Sequence, residues 1–278
     1  MVFGRDRVEY KTEDQVRKMR RAGLVVAEAL AAVRAGITPG VTTAELDELA
    51  RDVIAGAGAD PSFLGYYGYP AVTCISVNEE VVHGIPGERV LAAGDVISVD
   101  CGAIIDGWHG DSAFTAIVPG AEDPADAALR DVTEAAMWAG VAATASAERL
   151  GDIGAAIEDA VRAGEPDGAP YGILRDYVGH GIGTAMHQPP DVLNYRSRER
   201  GQKIKPGLCI AIEPMVVRGA EDTRVLADDW TVVTEDGSRA AHWEHTVAIF
   251  PEGISVLTAP DRGAAALAKF GIVPLDFD

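Results

Sequence analysis

The chain has 278 residues, 47% of them hydrophobic, which is enough for one large domain or two modest ones around a substantial core. Its 24 Lys plus Arg against 43 Asp plus Glu give a formal charge of −19, so a broad phosphate-binding surface, and with it nucleic acid as a partner, is not expected. There is no apolar run of about eighteen residues, and Met1 to Lys11 is charged where a signal peptide has its apolar stretch; a cytoplasmic protein without a membrane span is expected.

Thr12 and Gln15 form a capping box, and Val16, Met19, Ala22, Gly23, Val26, Ala27 and Leu30 follow at helical spacing, predicting a long amphipathic helix from Thr12 to Ala35. After the Thr38-Pro39-Gly40 turn, Thr42 and Glu45 cap a second helix running toward Gly56. A Gly/Tyr/Pro loop, Gly65 to Pro70, precedes the β-prone run Ala71 to Val77. The clearest hairpin follows: a strand from Val96 to Ile105, Asp106-Gly107 as a two-residue turn, and a return strand from Trp108 to Val118. Asp123-Pro124 opens a third helix to about Thr144, and Leu150 to Ala163 makes a fourth. Beyond Gly164 the chain turns irregular. Strands are predicted from Leu208 to Val217, broken at Pro214, from Trp230 to Thr234, and from His242 to Phe250. Helix, helix, strands thus occurs twice, which suits an α+β domain of two similar halves; no linker divides them, so residues 1–278 are expected to form one domain.

Cys74, Cys101 and Cys209 are too few and too widely spaced for a disulfide framework or a zinc ribbon, so any metal must be held mainly by His and carboxylate. The Asp106-Gly107 turn pairs Ile105 with Trp108 and Gly102 with Asp111, leaving Asp100 diagonal to Asp111 on one sheet face. Two such carboxylates need a cation or a shared proton, or they are a solvated pair beside a turn; the hairpin alone leaves these open. His180 lies among the glycines of Gly179 to Gly183, and His187 follows before Pro189-Pro190, whereas His109 and His242 read by default as ordinary hydrogen-bonded histidines. Glu213 ends one apolar strand and Glu244 lies in another, where a carboxylate needs a partner. Asp100, Asp111, Glu213 and Glu244 around a neutral His180 would balance two divalent cations.

These pieces, together with Tyr66 to Pro70, Thr73 to Asn78, Val82 to Pro86, Ile212 to Pro214 and Trp243 to Thr246, resemble the type I methionine aminopeptidases, which have the pita-bread fold, over nearly the whole chain. The resemblance implies that Asp100 chelates one metal, that Asp111 and Glu244 bridge two, and that His180 and Glu213 complete the second position. It makes Glu213 the proton shuttle and assigns His83 to the leaving side of the scissile amide and His187 to its carbonyl oxygen. Tyr66, Tyr69, Cys74 and Trp230 match the methionine pocket, and Met186 stands where the family often has phenylalanine.

The implied activity is removal of the initiator methionine from nascent polypeptides, preferably before a small second residue, with two divalent ions of Mn, Fe(II), Co or Zn. Transient ribosome contact and a monomer accompany it, and the chain matches the short form, without a zinc-binding N-terminal segment. The rivals are a proline-specific aminopeptidase of the same fold, in which Asp100 would come later in the chain, and a non-catalytic binding protein of that fold, which would be expected to lose ligands.

Overall fold

A computed structural model describes residues 8–278; of the charged N-terminal stretch, residues 1–7 lie outside the described part. Helix α1 spans Glu13–Gly36 and α2 spans Thr43–Gly56, each opened by the expected capping box, with Thr12 and Thr42 as N-caps. Strands β1 (Thr73–Val77), β2 (Val96–Ile105) and β3 (Trp108–Ile117) follow. Next come α3 (Pro124–Ala143) and α4 (Leu150–Gly164). Strands β4 (Gly179–Gly181), β5 (Gln188–Val192), β6 (Leu208–Ile212), β7 (Met215–Val217), β8 (Ala240–His242) and β9 (Glu244–Phe250) complete the main framework.

The main sheet is antiparallel throughout and runs β2-β3-β9-β6-β4-β5, with β1 also paired to β2 and Gly253–Val256 to β9. β9 joins the two halves by pairing β3 on one side and β6 on the other. Helices α1 and α2 pack together, with α1 against β2 and β3, while α3 and α4 pack together with α3 against β9 and β6. The doubled order of elements is therefore a doubled arrangement in space. The core between helices and sheet is aliphatic, with Val26, Val33, Ile97, Val99, Ile153, Ile210 and Ile212 among its fully buried members.

The hairpin has the predicted register, Ile105 opposite Trp108 and Gly102 opposite Asp111. Asp106 and Gly107 both take positive φ (52° and 77°), the conformation a two-residue turn needs to match strand twist. Gly110 lets α1 lie directly on β3: a Cβ there would be 2.6 Å from Gly23 N. Two strand predictions need correction. Trp230 to Thr234 is strand only from Val232, pairing Glu80–Val82 in a small separate sheet, because Asp228 accepts hydrogen bonds from the amides of Trp230 and Thr231 and holds that end as a turn. His242 to Phe250 is two strands parted at Trp243, with β8 pairing β7 rather than extending β9. All three cysteines are free and buried, as a chain without a disulfide framework requires.

Candidate metal centre and substrate pocket

Register brings the carboxylates together. Ala113 of β3 faces Asp100 across β2 and Glu244 across β9, so these side chains stand on one sheet face, and Asp111, two residues from Ala113, stands there too. Glu213 follows directly on β6 beside β9, and His180 projects from β4, whose Gly181 pairs Ile210. Ligand atoms of Asp100, Asp111 and Glu244 lie within 4.8 Å of one another, as do those of His180, Glu213 and Glu244.

The chemistry of this donor set fits a divalent cation. One oxygen each of Asp100, Asp111 and Glu244 is buried without a hydrogen-bond partner, and no Lys or Arg lines the cavity they face. Burial, reinforced by the neighbouring carboxylates, pushes Asp111 and Glu244 well above the usual carboxylate range. Burial likewise raises Asp100, the pull of His242 being overcome, and raises Glu213 up to about 8. Protons or metal ions must neutralise such a cluster. His180 fits such a cluster as a neutral donor: burial drives its pKa down to about 3, and Nδ1 lies 3.1 Å from Gly181 O, so a proton on Nδ1 leaves the Nε2 lone pair facing Glu213.

The cluster forms the floor of a cavity of about 400 Å³ that all twelve residues singled out in the sequence line. On one side lies an apolar wall in which Phe63, Tyr69, Cys74 and Met186 are buried and against which Tyr66 and Trp230 pack. The Tyr69 ring meets Trp230 edge-on at 5.0 Å, and its hydroxyl sits 3.0 Å from Thr73 O and 2.9 Å from Gly84 O, sharing one proton between them. His83 and His187 line the same cavity, each beside an aromatic of that wall: the His83 ring lies 6.2 Å from Trp230 and the His187 ring 5.4 Å from Tyr66. His83 takes φ +61°, a strained conformation for a non-glycine residue that is held by its surroundings, and burial lowers its pKa to about 4. His187 stands at the mouth with Nδ1 3.0 Å from the Tyr66 hydroxyl and its ring 4.3 Å from that of His180.

His242 does not belong with the ordinary histidines. It is 2% exposed, its Nε2 has no hydrogen-bond partner and lies 3.6 Å from Glu213 Oε2, and it lines the cavity. Its place at the end of β8 depends on the break at Trp243, which no local pattern marks. Met215, the first residue of β7, also lines the cavity without having been singled out. His109 stays outside, its Nδ1 2.9 Å from Ser62 Oγ.

Residues 17–250 match the model of metallopeptidase family M24. The chain belongs to that family. It is 50% identical to methionine aminopeptidase 1 of Mycobacterium tuberculosis (strain CDC 1551 / Oshkosh) over 257 residues, covering 92% of this chain and 96% of the relative. Methionine aminopeptidase 1 of Bacillus subtilis (strain 168) is 44% identical over 248 residues, with coverage of 89% and 98%. Among solved structures, methionine aminopeptidase from Thermotoga maritima superposes with a TM-score of 0.86 at 40% identity, covering 91% of this chain and 99% of that one. The two-halved α+β architecture of this M24 chain is thus the pita-bread fold, and the carboxylate cluster lies within the segment that defines a metallopeptidase family.

Proposed function

We propose that this chain is a metal-dependent aminopeptidase that removes N-terminal methionine from polypeptides, preferably before a small second residue. The observation that carries the reading is the juxtaposition of uncompensated buried carboxylates with an apolar pocket of aromatic, Cys and Met side chains. The first suits divalent ions, and the second suits a long thioether side chain, which gains from packing and sulfur contacts. The high identity to methionine aminopeptidases over almost their whole length supports the same activity and disfavours a proline-specific one.

In this reading the whole chain is one catalytic domain. Asp100, Asp111, His180, Glu213 and Glu244 hold two divalent ions of Mn, Fe(II), Co or Zn, the formal charge of four carboxylates matching two such cations. Bound there, the ions supply Lewis acidity that acidifies water and polarises the scissile carbonyl. Glu213, at the edge of the cluster, receives the proton of the attacking water and passes it toward the leaving amine. Tyr66 donates from its hydroxyl to His187 Nδ1, which leaves Nε2–H free to donate to the carbonyl oxygen as negative charge develops. His83, neutral at physiological pH, lies toward the leaving amide. The enzyme works as a monomer in the cytoplasm on nascent chains, with transient ribosome contact. No helix among the described residues is long and apolar enough to cross a membrane.

The test uses metal-depleted protein with single divalent ions restored, offered Met-Ala-Ser, N-acetyl-Met-Ala-Ser or Ala-Pro-Ser. Metal-dependent release of methionine from Met-Ala-Ser alone is expected. Preference for Ala-Pro-Ser would transfer the chain to the proline-specific class, and silence with every metal would leave a binding protein.

A further inference from the structure

His187 is carried by the segment Gly183 to Gln188, most of which is outside the strands: β4 ends at Gly181 and β5 begins at Gln188. Thr184 and Ala185 are exposed, and the side chain of His187 has one hydrogen bond, to Tyr66. What anchors this segment comes from near the N-terminus, 175 positions away. The carboxylate of Glu9 accepts from Thr184 N at 3.0 Å and Thr184 Oγ1 at 2.8 Å, and from Gln188 Nε2 at 3.0 Å. It therefore grips the residues on both sides of Met186 and His187.

Glu9 is itself fixed. Lys11, its side chain 1% exposed, donates from Nζ to Glu9 O at 2.9 Å and keeps the ammonium 3.4 Å from Glu9 Oε2. The backbone of Lys11 donates to Gly207 O at 2.7 Å, and Tyr10 bridges Leu208, tying this strap to the start of β6. A side chain on Gly183 would overlap both the Glu9 carboxylate and the Lys11 side chain, so glycine lets the segment lie against them. On the inner side, His109 N donates to Gly183 O at 2.9 Å, giving the segment a second fixed point.

We infer that Glu9, held by Lys11, is a positioning residue that sets the place of His187 over the cavity by clasping Thr184 and Gln188. The inference rests on the reading of His187 as the residue that meets the scissile carbonyl. Its loss acts on the transition state: the methionine pocket, formed largely by other segments, keeps its affinity while the hydrogen bond to developing charge is misaligned.

The experiment measures kcat and KM of the metal-loaded protein with Met-Ala-Ser for Glu9→Ala, Glu9→Gln, Thr184→Val, His187→Ala and the Glu9→Ala/His187→Ala pair. Glu9→Ala is expected to lower kcat about ten- to a hundredfold with KM nearly unchanged. Glu9→Gln, which keeps an accepting oxygen and the side-chain length, recovers most of that loss. Thr184→Val, which loses one of the three bonds and no charge, shows a smaller loss of the same kind and decides the matter if Glu9→Ala does not fold. In the His187→Ala background, Glu9→Ala adds nothing, because the group it positions is gone. An unchanged kcat in Glu9→Ala and Thr184→Val, or an equal proportional loss with and without His187, would overturn the inference. An unchanged kcat in His187→Ala alone would overturn the reading of His187, and the role of Glu9 with it.

Discussion

Nε2 of His180 lies 3.2 Å from Oε1 of Glu213, although burial drives the imidazole toward neutrality and the carboxyl toward protonation. Without metal, both shifts favour the neutral forms, a contact in which a protonated Glu213 carboxyl donates to Nε2. A cation that takes both atoms must first displace that proton.

The pH dependence follows from this. Metal-free folded protein keeps protons on Asp100, Asp111, Glu213 and Glu244 that the unfolded chain releases near pH 4. Folded-state carboxyl pKa values are raised here, with Asp100 near 7 and Glu213 near 8, so the folded state binds more protons between about pH 4 and 8 and loses stability as pH rises through that window. Metal affinity should rise over the same window, with proton release on binding. Thermal melts from pH 5 to 8, with and without Mn(II), should diverge steadily, and calorimetry in buffers of different ionisation enthalpy should detect the protons. Parallel curves and no proton release would contradict the assignment.

Trp230 packs edge-on against Tyr69 and lies 6.2 Å from the His83 ring, forming part of the apolar wall of the pocket. Trp230→Ala should therefore raise KM for Met-Ala-Ser about tenfold or more, the equivalent of about 1–3 kcal/mol of lost apolar contact, with a smaller change in kcat. Steady-state kinetics separate the two.

Gly84 fixes His83 from the following position. A Cβ on Gly84 would stand 2.9 Å from Ser76 Cα and overlap Ile75 O, and its amide already donates to Ser76 Oγ at 3.1 Å. Gly84→Ala must push the His83 segment off β1. A loss of stability of about 1–3 kcal/mol and a fall in kcat of tenfold or more are expected, read by urea melts and by turnover below the melting range.

Arg20 supports the fold far from the cavity. Its guanidinium is 2% exposed and donates to Leu257 O (3.0 Å), Ala259 O (2.6 Å), Pro260 O (2.9 Å) and Asp278 Oδ1 (2.7 Å), fastening the C-terminal segment to α1. A lysine cannot present that fork of donors. Arg20→Lys should lower the urea midpoint by the equivalent of roughly 2–4 kcal/mol while kcat/KM of the folded, metal-loaded protein stays near wild type.

The hairpin shows why much of this site was legible in the chain. Asp106-Gly107 sets the register locally, and register alone places Asp100 and Asp111 on one face. The capping boxes at Thr12 and Thr42 were readable for the same reason, since each uses residues three apart. The expected location of Glu244 beside Asp100 rested on resemblance, because β3 meets β9 across more than 120 residues of intervening chain and no local signal encodes that pairing. His242 was missed because its access to the cavity depends on β8 leaving the line of β9 at Trp243, a choice made by tertiary pairing with β7. The clasp of Glu9 on Thr184 is still more remote, as a single acidic residue near one end carries no signature of a partner 175 positions away.

The most direct test of the metal-centre account is to titrate metal-depleted protein with Co(II), following its visible absorption and methionine release from Met-Ala-Ser in the same samples, for wild type, Asp111→Asn and Glu244→Gln. The account predicts that turnover appears in step with the bound-Co(II) spectrum in wild type, and that both variants bind Co(II) at least tenfold more weakly with a proportionate loss of turnover at limiting metal. Full turnover before any Co(II) binds, or wild-type spectra and rates in both variants, would contradict it.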